Sequence, residues 1–278
     1  MLHFLSGPVH RIACKCGALA GQVLNSFCYR FALKMETETT IKSAAINLKP
    51  KLDGMPFWKR ALDITCVMIS APLWLPLMLF ISIIIRFASP GPVLFRQERV
   101  GLLGRRFTCF KFRTMKVNAD TNVHQGHFSK LMDSNVPMKK LDAAGDPRLI
   151  PCGLLLRSLG LDELPQIFNV LRGEMSLVGP RPCLPYEYQN YTEYHRCRLG
   201  AVPGLTGLWQ VSGKNRTTFD KMVELDIHYA ANKNLLLDLK IMLKTIPAII
   251  TQTKDISEDA KENKKSALQN VPVGQRQI

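Results

Sequence analysis

The stretch Ile64-Thr-Cys-Val-Met-Ile-Ser-Ala-Pro-Leu-Trp-Leu-Pro-Leu-Met-Leu-Phe-Ile-Ser-Ile-Ile-Ile85 contains 22 residues and no charged side chain. A helix needs about 20 apolar residues to cross the hydrocarbon core of a bilayer. A buried core helix is the alternative, but a helix this long that is apolar on every side seldom occurs in a small soluble domain. We therefore interpret the stretch as a membrane segment.

Charges on both sides of this segment indicate its topology. Lys51, Lys59 and Arg60 precede it. Five arginines follow it: Arg86, Arg96, Arg99, Arg105 and Arg106. Basic residues favour the cytoplasmic side, and a straight span cannot place both ends there. Because Pro72 and Pro76 each remove a helix hydrogen bond, we predict that residues 56–88 form a re-entrant helical hairpin with its helix break near Pro76. An ordinary single span is the competing interpretation.

The net charge of the 278-residue chain is +15, from 37 Lys and Arg against 22 Asp and Glu. Such an excess suits nucleic acid, an anionic membrane surface or a phosphorylated substrate. The basic residues are scattered and form no stripe interleaved with aromatic residues, so we expect no nucleic acid as a partner. The eight cysteines form no C-x-x-C pair, which predicts reduced cytosolic thiols rather than disulfides or a zinc site.

Both ends of the chain lack the pattern of a packed core. Residues 1–55 mix short apolar pieces with isolated charges and contain no signal-peptide pattern, so we predict a poorly ordered N-terminal extension. We also hypothesise that translation begins at Met35 or Met55. Residues 251–278 are polar and charged, which predicts a disordered tail. Residues 89–250 are left for a catalytic domain.

The segment after the membrane helix alternates apolar and polar residues and predicts a β-hairpin. Later stretches follow the helical repeat or a short strand pattern, and Val117–Gly145 is polar and irregular, as in a loop. Alternation places Lys111 and Arg113 on one strand face together with Cys109. The predicted elements are strands Val93–Arg99, Phe107–Met115 and Met175–Val178, and helices Leu161–Leu171, Thr217–Ala230 and Leu235–Ile250.

The dipeptide Asp162-Glu163 lies at the start of a predicted helix that Gly173 ends. The positive end of a helix dipole keeps a carboxylate ionised, and an ionised carboxylate can attack phosphorus. Two adjacent acids also suit Mg²⁺, which prefers oxygen ligands and shares them with substrate phosphates. Acids that cap a helix have the same pattern, so the dipeptide by itself leaves a structural role open.

Several cations are candidates for binding phosphate near this dipeptide. Arg157 lies five residues before it, Lys111 and Arg113 share a strand face, and Arg181 is held between two prolines. Guanidinium groups bind phosphate oxygens bidentately, and the restricted backbone of a proline-flanked arginine indicates positioning. Each arginine taken alone is also consistent with a solvated surface charge.

Three ordered blocks of the sequence carry a resemblance to a known family. They are Lys111-Phe-Arg-Thr-Met115, Ser158-Leu-Gly-Leu-Asp-Glu-Leu-Pro-Gln-Ile-Phe-Asn-Val-Leu-Arg-Gly-Glu-Met-Ser-Leu-Val-Gly-Pro-Arg-Pro182 and Pro203-Gly-Leu-Thr-Gly-Leu-Trp-Gln-Val-Ser-Gly213. These blocks resemble the bacterial sugar transferases, the monotopic polyprenyl-phosphate phosphoglycosyl transferases, over residues 57–250. The resemblance implies an α+β fold, in which a re-entrant membrane helix precedes a compact, mainly helical cytoplasmic domain with a small β-hairpin or sheet.

For function, the resemblance implies transfer of a sugar-1-phosphate from a UDP-sugar to undecaprenyl phosphate, with release of UMP. Asp162 would be the nucleophile that forms a covalent phospho-sugar intermediate, and Glu163 would assist through a proton or the metal. Mg²⁺, held by both carboxylates, would neutralise the diphosphate. The phosphate contacts would come from four cations: Lys111, Arg113, Arg157 and Arg181.

The resemblance also implies a cellular role. It places the protein on the cytoplasmic face of the bacterial inner membrane, in contact with membrane lipid, at the start of exopolysaccharide, O-antigen, lipopolysaccharide or capsule assembly. The stretch from Gly207 to Gly213 resembles members that handle a hexose such as galactose or glucose. The oligomeric state stays open, with a homodimer among the alternatives.

This sequence departs from the family pattern in two places. Many small members have Ser-Pro at the helix break, whereas this chain has Leu75-Pro76 with an additional Pro72. The hydroxyl that would satisfy a freed carbonyl in lipid is therefore missing. Larger members have additional membrane spans before this domain, and Met1–Lys51 is not apolar enough to supply them.

Two competing functions use the same features. One is a membrane-anchored basic domain that binds nucleic acid or anionic lipid, for which the net charge is the only support. The other is a glycosyltransferase that moves the sugar without phosphate, which typically needs a D-x-D metal motif in a nucleotide-binding domain. UMP rather than UDP as the product would separate the phosphoglycosyl transferase from this second alternative.

Overall fold

The computed structural model describes residues 54–117, 132, 136, 137, 148–213 and 216–269, with side chains in the last helix described through 251 and at 253. The predictions for residues 1–53 and for most of the loop Val117–Gly145 lie outside this part. The fold mixes helix and sheet, as predicted. The helices are α1 Phe57–Ala88, α2 Gly153–Ser158, α3 Ile167–Arg172, α4 Pro185–Gln189, α5 Glu193–Arg196, α6 Leu208–Val211, α7 Phe219–Asn232 and α8 Leu235–Gln269.

The strands form two separate pairs. Strands β1 (Leu94–Val100) and β2 (Arg106–Phe112) are antiparallel, and strands β3 (Ser176–Val178) and β4 (Gly204–Thr206) are parallel. Among the residues that the structure describes, three 3₁₀ segments connect these elements: Leu102–Gly104, Leu161–Gln166 and Cys197–Gly200.

Helix α1 continues through Pro72 and Pro76, so the helix break predicted near Pro76 is wrong. Within the described residues it is the one helix that is long and apolar enough to cross a membrane. A stripe of its side chains, from Lys59 through Trp74 to Ile85, is buried against the rest of the domain. The opposite face is apolar and exposed, and it includes Phe57, Ile69, Leu73, Leu79, Phe80 and Phe87.

Polar groups within α1 find partners in the helix itself. Ser70 Oγ donates to Cys66 O at 2.7 Å, and Trp74 Nε1 donates to Val67 O at 3.0 Å. An unsatisfied polar group in lipid costs several kcal/mol. Ser70 therefore supplies a hydroxyl near Pro72. Leu75, which directly precedes Pro76, has no hydroxyl to supply.

The first two turns of α1 are held by buried polar contacts. Lys59 Nζ lies 2.5 Å from Asp238 Oδ2 and 2.9 Å from the Tyr229 hydroxyl oxygen, and neither charged side chain is more than 1% exposed. Asp63 Oδ1 accepts hydrogen bonds from the first two residues of β3, each at 3.0 Å. Arg60 donates to the last carbonyl groups of α3. Together these contacts fix the beginning of α1 to strand β3 and to helices α3 and α8.

The end of α1 is held by Arg113, directly after β2. Its Nη2 donates to Ser89 O at 2.7 Å and its Nη1 to Pro90 O at 2.6 Å. A Cβ atom on Gly91, whose φ is 116°, would lie 2.6 Å from Arg113 Nη1, so a side chain there would displace the guanidinium. Both ends of the apolar helix are thus hydrogen-bonded to the same domain.

The predicted hairpin is confirmed, with strand bounds that differ by a few residues. Beyond β2 the chain continues to pair, because Met115 bridges Leu149 and Ile150 N donates to Thr114 O at 3.0 Å. This pairing brings residues 148–150, and then α2, beside the hairpin.

Strands β3 and β4 approach each other so closely that only glycine fits. A Cβ atom on Gly179 would lie 2.2 Å from Val202 O, and one on Gly204 would lie 2.0 Å from Gly179 N. Real Cβ atoms do not approach backbone atoms this closely, because interiors are already close-packed. The two glycines therefore fix the point at which β3 leads into Pro180-Arg181-Pro182.

The helix predicted from Leu161 to Leu171 is divided. Its first part, Leu161–Gln166, is a 3₁₀ segment, and α3 begins only at Ile167. Pro165 has no N–H with which to donate to the carbonyl four residues earlier, so the first α-helical hydrogen bond is missing. Gly173 ends α3 with a φ of 78°, as predicted.

Helix α8 extends beyond its predicted end at Ile250. It continues to Gln269, so the part of the predicted tail from 251 to 269 is helical. Its sequence after Thr253 contains many Lys, Glu and Ala residues and neither Gly nor Pro before Gln269, and such residues have high helix propensity. The remaining tail, 270–278, lies outside the described residues.

The buried contact between Lys59 and Asp238 predicts a stability effect. We expect Lys59→Met to lower the free energy of unfolding by about 3–5 kcal/mol, because the Asp238 carboxylate would stay buried without its cation. The thermal midpoint in detergent should fall by roughly 10 °C. The matched control is Lys221→Met, which removes an exposed pair with Glu224 that contributes about 0.5 kcal/mol. Equal shifts for the two variants would contradict this role of Lys59.

Candidate active site

Asp162 and Glu163 lie in the first turn of the 3₁₀ segment Leu161–Gln166, not in an α-helix as predicted. Gly160 leads into this segment with a left-handed φ of 69°, and the segment packs against β2. Both acidic residues are half-buried. Their carboxylates are therefore beside the hairpin and still accessible from outside.

Lys111 on β2 faces this dipeptide, and its Nζ lies 2.9 Å from Glu163 Oε1. Asn169, which is fully buried in α3, holds β2 in this place. Its amide accepts a hydrogen bond from Phe110 N at 3.1 Å and donates one to Thr108 O at 2.7 Å. The Asn169 side chain thus pairs with the edge of β2 as a neighbouring strand would, and fixes Lys111 relative to the two acids.

Arg181, the proline-flanked arginine, belongs to the same group of charges. Its Nη1 lies 3.4 Å from Oε2 of Glu187, a carboxylate that is 1% exposed. Burial would lower the pKa of Arg181, but the carboxylates of Glu187 and, more weakly, Glu163 raise this pKa above its ordinary value. Arg181 therefore stays charged, and its charge interacts with the carboxylate of Glu163.

Arg99 is a further cation of this group, although the sequence pattern placed it among the charges flanking the membrane segment. It is 7% exposed, and its Nη1 donates to Pro182 O at 3.1 Å. Burial, followed by repulsion from Arg181, lowers the pKa of Arg99, while Glu187 and Glu163 oppose this shift. An arginine remains protonated in proteins, so Arg99 adds a desolvated positive charge to the site.

Cys109 lies among these charges on β2 and is fully buried. Burial raises the pKa of its thiol, although Lys111, Arg99 and Arg181 partly oppose the shift. A protonated, buried thiol is a weak nucleophile, so the carboxylates are the stronger candidates for covalent chemistry. The five cysteines of the described residues are all free thiols, as predicted.

Of the other two predicted phosphate ligands, Arg113 is bound at the end of α1, whereas Arg157 lies on the helix next to the Asp162 segment. Both Nη atoms of Arg113 donate to carbonyl groups at the end of α1. Arg157 is half-buried in the last turn of α2, which packs against the 3₁₀ segment that contains Asp162. The structure thus groups Lys111 and Arg181 with Glu163, keeps Arg157 on the adjoining helix and turns Arg113 towards α1.

A magnesium ion would need few protein ligands at this site. Within the described part of the chain, no three His, Cys, Asp or Glu side chains come together as a metal site. Mg²⁺ usually binds through one or two carboxylates together with waters and substrate phosphates. The adjacent carboxylates of Asp162 and Glu163 fit an ion that is shared with a phosphorylated substrate.

Sequence patterns did not identify the buried ion pair between Arg198 and Asp226, next to Arg181. Arg198 and Asp226 are at most 1% exposed, and Arg198 also donates to Arg181 O at 3.2 Å. One signal was available, because the helical repeat places Asp226 on the apolar face of α7. The buried neighbours on that face are Phe219, Met222, Val223, Ile227 and Ala230.

Known proteins resemble this chain over the region that holds the site. The exopolysaccharide production protein ExoY of Sinorhizobium fredii is 39% identical over 191 residues, which are 69% of this chain and 84% of that protein. An undecaprenyl-phosphate galactose phosphotransferase of Salmonella typhimurium is 38% identical over 200 residues, 70% of this chain and 40% of the relative. A UDP-glucose:undecaprenyl-phosphate glucose-1-phosphate transferase of Caulobacter vibrioides is 39% identical over 203 residues, 69% of this chain and 70% of the relative.

A family model gives the same answer. The model described as bacterial sugar transferase matches residues 55–252. This range contains every side chain of the site, from Arg99 to Asp226, and also the apolar helix α1. The resemblance predicted from the sequence blocks is therefore confirmed: the chain belongs to the bacterial sugar transferase family and is a sugar-phosphate transferase.

Proposed function

We propose that this enzyme transfers a sugar-1-phosphate from a UDP-sugar to undecaprenyl phosphate, with release of UMP, through a covalent intermediate on Asp162. The observation that carries the proposal is an acidic dipeptide inside a group of cations. Lys111 Nζ lies 2.9 Å from Glu163, and Arg99 and Arg181 are within electrostatic range of the same carboxylate. The Salmonella and Caulobacter relatives are named as enzymes of the same class, which transfer a sugar phosphate to undecaprenyl phosphate.

In the first half of the proposed reaction, a carboxylate oxygen of Asp162 attacks the phosphorus that bears the sugar. A bond forms between this oxygen and phosphorus, the bond from phosphorus to the bridging oxygen breaks, and UMP leaves with the electron pair. Lys111 and Arg181 neutralise the negative charge that develops on the phosphate oxygens. Glu163 holds Lys111 beside the reacting phosphate through their ion pair.

In the second half, an oxygen of undecaprenyl phosphate attacks the same phosphorus. The bond to Asp162 breaks, which restores the carboxylate and gives the undecaprenyl diphosphate sugar. Each half exchanges one phosphorus–oxygen bond for another. The reaction therefore needs no thiol, which agrees with the buried and protonated state of Cys109.

We also propose Mg²⁺ as the cofactor, held by Asp162 and Glu163 together with oxygens of the substrate. When bound, the ion would supply positive charge that neutralises the diphosphate. The half-buried position of the two acids supports this role, because it leaves room for waters and phosphate oxygens as further ligands.

For the membrane, we propose that α1 enters the bilayer as an unbroken, re-entrant helix with both ends on the cytoplasmic face of the bacterial inner membrane, and that the domain lies on that face. Contacts at both ends of α1 support this topology, since Lys59 and Asp63 near its start and Ser89 and Pro90 just past its end are bonded to one domain. A straight span would carry its end to the other side of the bilayer. The exposed apolar face of α1 would contact acyl chains.

The proposed sugar is a hexose such as galactose or glucose. The named relatives support this choice, because one is a galactose phosphotransferase and another a glucose-1-phosphate transferase. The proposed pathway is the assembly of exopolysaccharide, O-antigen or capsule, since the ExoY relative is named for exopolysaccharide production. Transfer to a lipid carrier would be the initiating step of such assembly.

The nucleophile is tested by Asp162→Asn. Because an amide cannot replace the ionised oxygen, we expect UMP release to fall roughly 10³-fold or more. Wild-type protein incubated with labelled UDP-sugar and no acceptor should retain a phospho-sugar that mass spectrometry locates at Asp162. The control is Asp220→Asn, an exposed acid in the first turn of α7, which should keep full turnover. Near-normal UMP release by Asp162→Asn would rule out this nucleophile.

The metal is tested by chelation. We expect EDTA to stop UMP release, because the charge of the diphosphate would no longer be neutralised, and excess Mg²⁺ to restore it. Sodium chloride at the same ionic strength is the control and should not restore activity. Unchanged turnover in EDTA would contradict the proposed cofactor.

The topology is tested with two tags, one before Gly54 and one after Ile278. We expect both tags to be protected from an impermeant reagent in intact spheroplasts and to react after the membrane is opened, because both ends of α1 would face the cytoplasm. A periplasmic marker in the same cells is the control for reagent access. Labelling of one tag alone in intact spheroplasts would show a single span.

A further inference from the structure

The segment Pro180-Arg181-Pro182 is held through its carbonyl groups. Two of its three residues are prolines without an N–H, so it cannot be held by strand pairing. Each carbonyl oxygen instead accepts a hydrogen bond from a different part of the fold. Gly204 N donates to Pro180 O at 2.9 Å, Arg198 Nη2 to Arg181 O at 3.2 Å and Arg99 Nη1 to Pro182 O at 3.1 Å.

The peptide of Arg181 is held from both sides by one buried ion pair. Its N–H donates to the carboxylate of Asp226, which also pairs with Arg198, and Arg198 donates to its carbonyl oxygen. Arg198 is held in turn by the Tyr191 hydroxyl at 2.8 Å. The backbone of Arg181 therefore has little freedom to move without disrupting this pair.

Arg99 connects this segment to the hairpin that carries Lys111. Next to Arg99, Val100 N donates to Cys183 O at 2.8 Å and Cys183 N donates back to Val100 O at 3.3 Å. Strand β1 pairs with β2 in a register that places Phe95 opposite Lys111. Arg99 thus lies where the β1–β2 pair, which carries Lys111, meets the segment that carries Arg181.

Burying the guanidinium groups of Arg99 and Arg198 lowers the stability of the fold, and apolar side chains could fill the same positions. In the described residues, the Nε atoms of Arg99 and Arg198 are buried without a hydrogen-bond partner. A buried charge or unsatisfied donor destabilises a fold unless other contacts compensate, and apolar residues can often replace a buried ion pair without loss of stability. The arrangement is therefore better explained by its effect on Arg181 than by its contribution to folding.

We propose that Arg99 is a positioning residue for Arg181. Together with the Arg198–Asp226 pair, it holds the backbone of Arg181 so that the guanidinium group of Arg181 faces the sugar-bearing phosphate of the donor. This inference rests on the proposed function. Arg99 acts through Arg181 and not on the substrate itself, because its own Nη atoms donate to Pro182 O and to Gln97 Oε1.

A double-mutant cycle tests this role with single-turnover release of UMP from a UDP-sugar. Arg99→Met should lower kcat/KM on the order of 100-fold, because small displacements of a positioned group have effects of this size. Arg181→Ala should lower it at least as much. The double variant should lie within about threefold of Arg181→Ala, since Arg99 has nothing left to position.

The matched control is Arg106→Met, on the same hairpin, where an exposed arginine pairs with exposed Glu98; it should keep wild-type turnover. Arg99→Lys should recover about tenfold of the lost activity, because an ammonium group can donate to one acceptor but not in the fork of a guanidinium. If Arg99→Met does not fold, the same cycle is run with Arg99→Lys.

The outcomes separate this inference from the proposed function. If the losses multiply, so that the double variant is on the order of 10⁴-fold impaired, Arg99 acts independently of Arg181 and the inference is wrong. Wild-type turnover in Arg99→Met or in Arg181→Ala also overturns it, while the proposed transfer of sugar-1-phosphate through Asp162 stands. Absence of UMP release by the wild-type enzyme with every UDP-sugar and undecaprenyl phosphate overturns the proposed function itself.

Discussion

Repulsion between like charges is the constraint on which the rest of the site depends. Two unit charges 4 Å apart repel by about 4 kcal/mol at the effective dielectric constant of a protein surface, and this site gathers several cations before any phosphate arrives. The fold offsets the repulsion with acids placed between them. Glu163 pairs with Lys111, Glu187 with Arg181 and Asp226 with Arg198.

Arg99 differs from these cations, because the described contacts of its guanidinium go to neutral oxygens only. Burial, followed by repulsion from Arg181, lowers the pKa of Arg99. A substrate diphosphate would add negative charge beside Lys111 and Arg181, the cations that Arg99 adjoins. The site is thus arranged for an anion, and the alternative of a basic domain that only binds lipid does not explain why the charged side chains of Arg99 and Arg198 are buried.

Features of the fold that depend on neighbouring residues in the sequence were predictable, and features that depend on distant residues were not. Alternation and helical spacing predicted the hairpin, α7 and the start of α8, since each reflects local residue pattern. The burial of Arg99 could not be predicted, because a two-stranded hairpin does not reveal which of its faces is covered, and the cover comes from Pro182, 83 residues later in the chain. For the same reason the strand face predicted for Lys111 and Arg113 did not show that Arg113 would reach the end of α1. Family blocks located Lys111, the acids and Arg181, whereas the partners of Arg181 lie outside those blocks and are Glu187, Arg198 and Asp226.

A reaction in two halves suits the opposite solubilities of the proposed substrates. A UDP-sugar is water-soluble, and undecaprenyl phosphate is confined to the bilayer, so one site can meet both only at the lipid–water boundary. Lys59 at one end of α1 and Arg113 at the other hold the domain against this helix, and in the proposed topology these contacts would keep the site at that boundary. Because the same phosphorus reacts twice, one group of cations can neutralise the diphosphate of the donor and then the phosphate of the acceptor. In the proposed reaction, storing the phospho-sugar on Asp162 would remove the need to bind both substrates at once, and a single set of positioned arginines would then be sufficient.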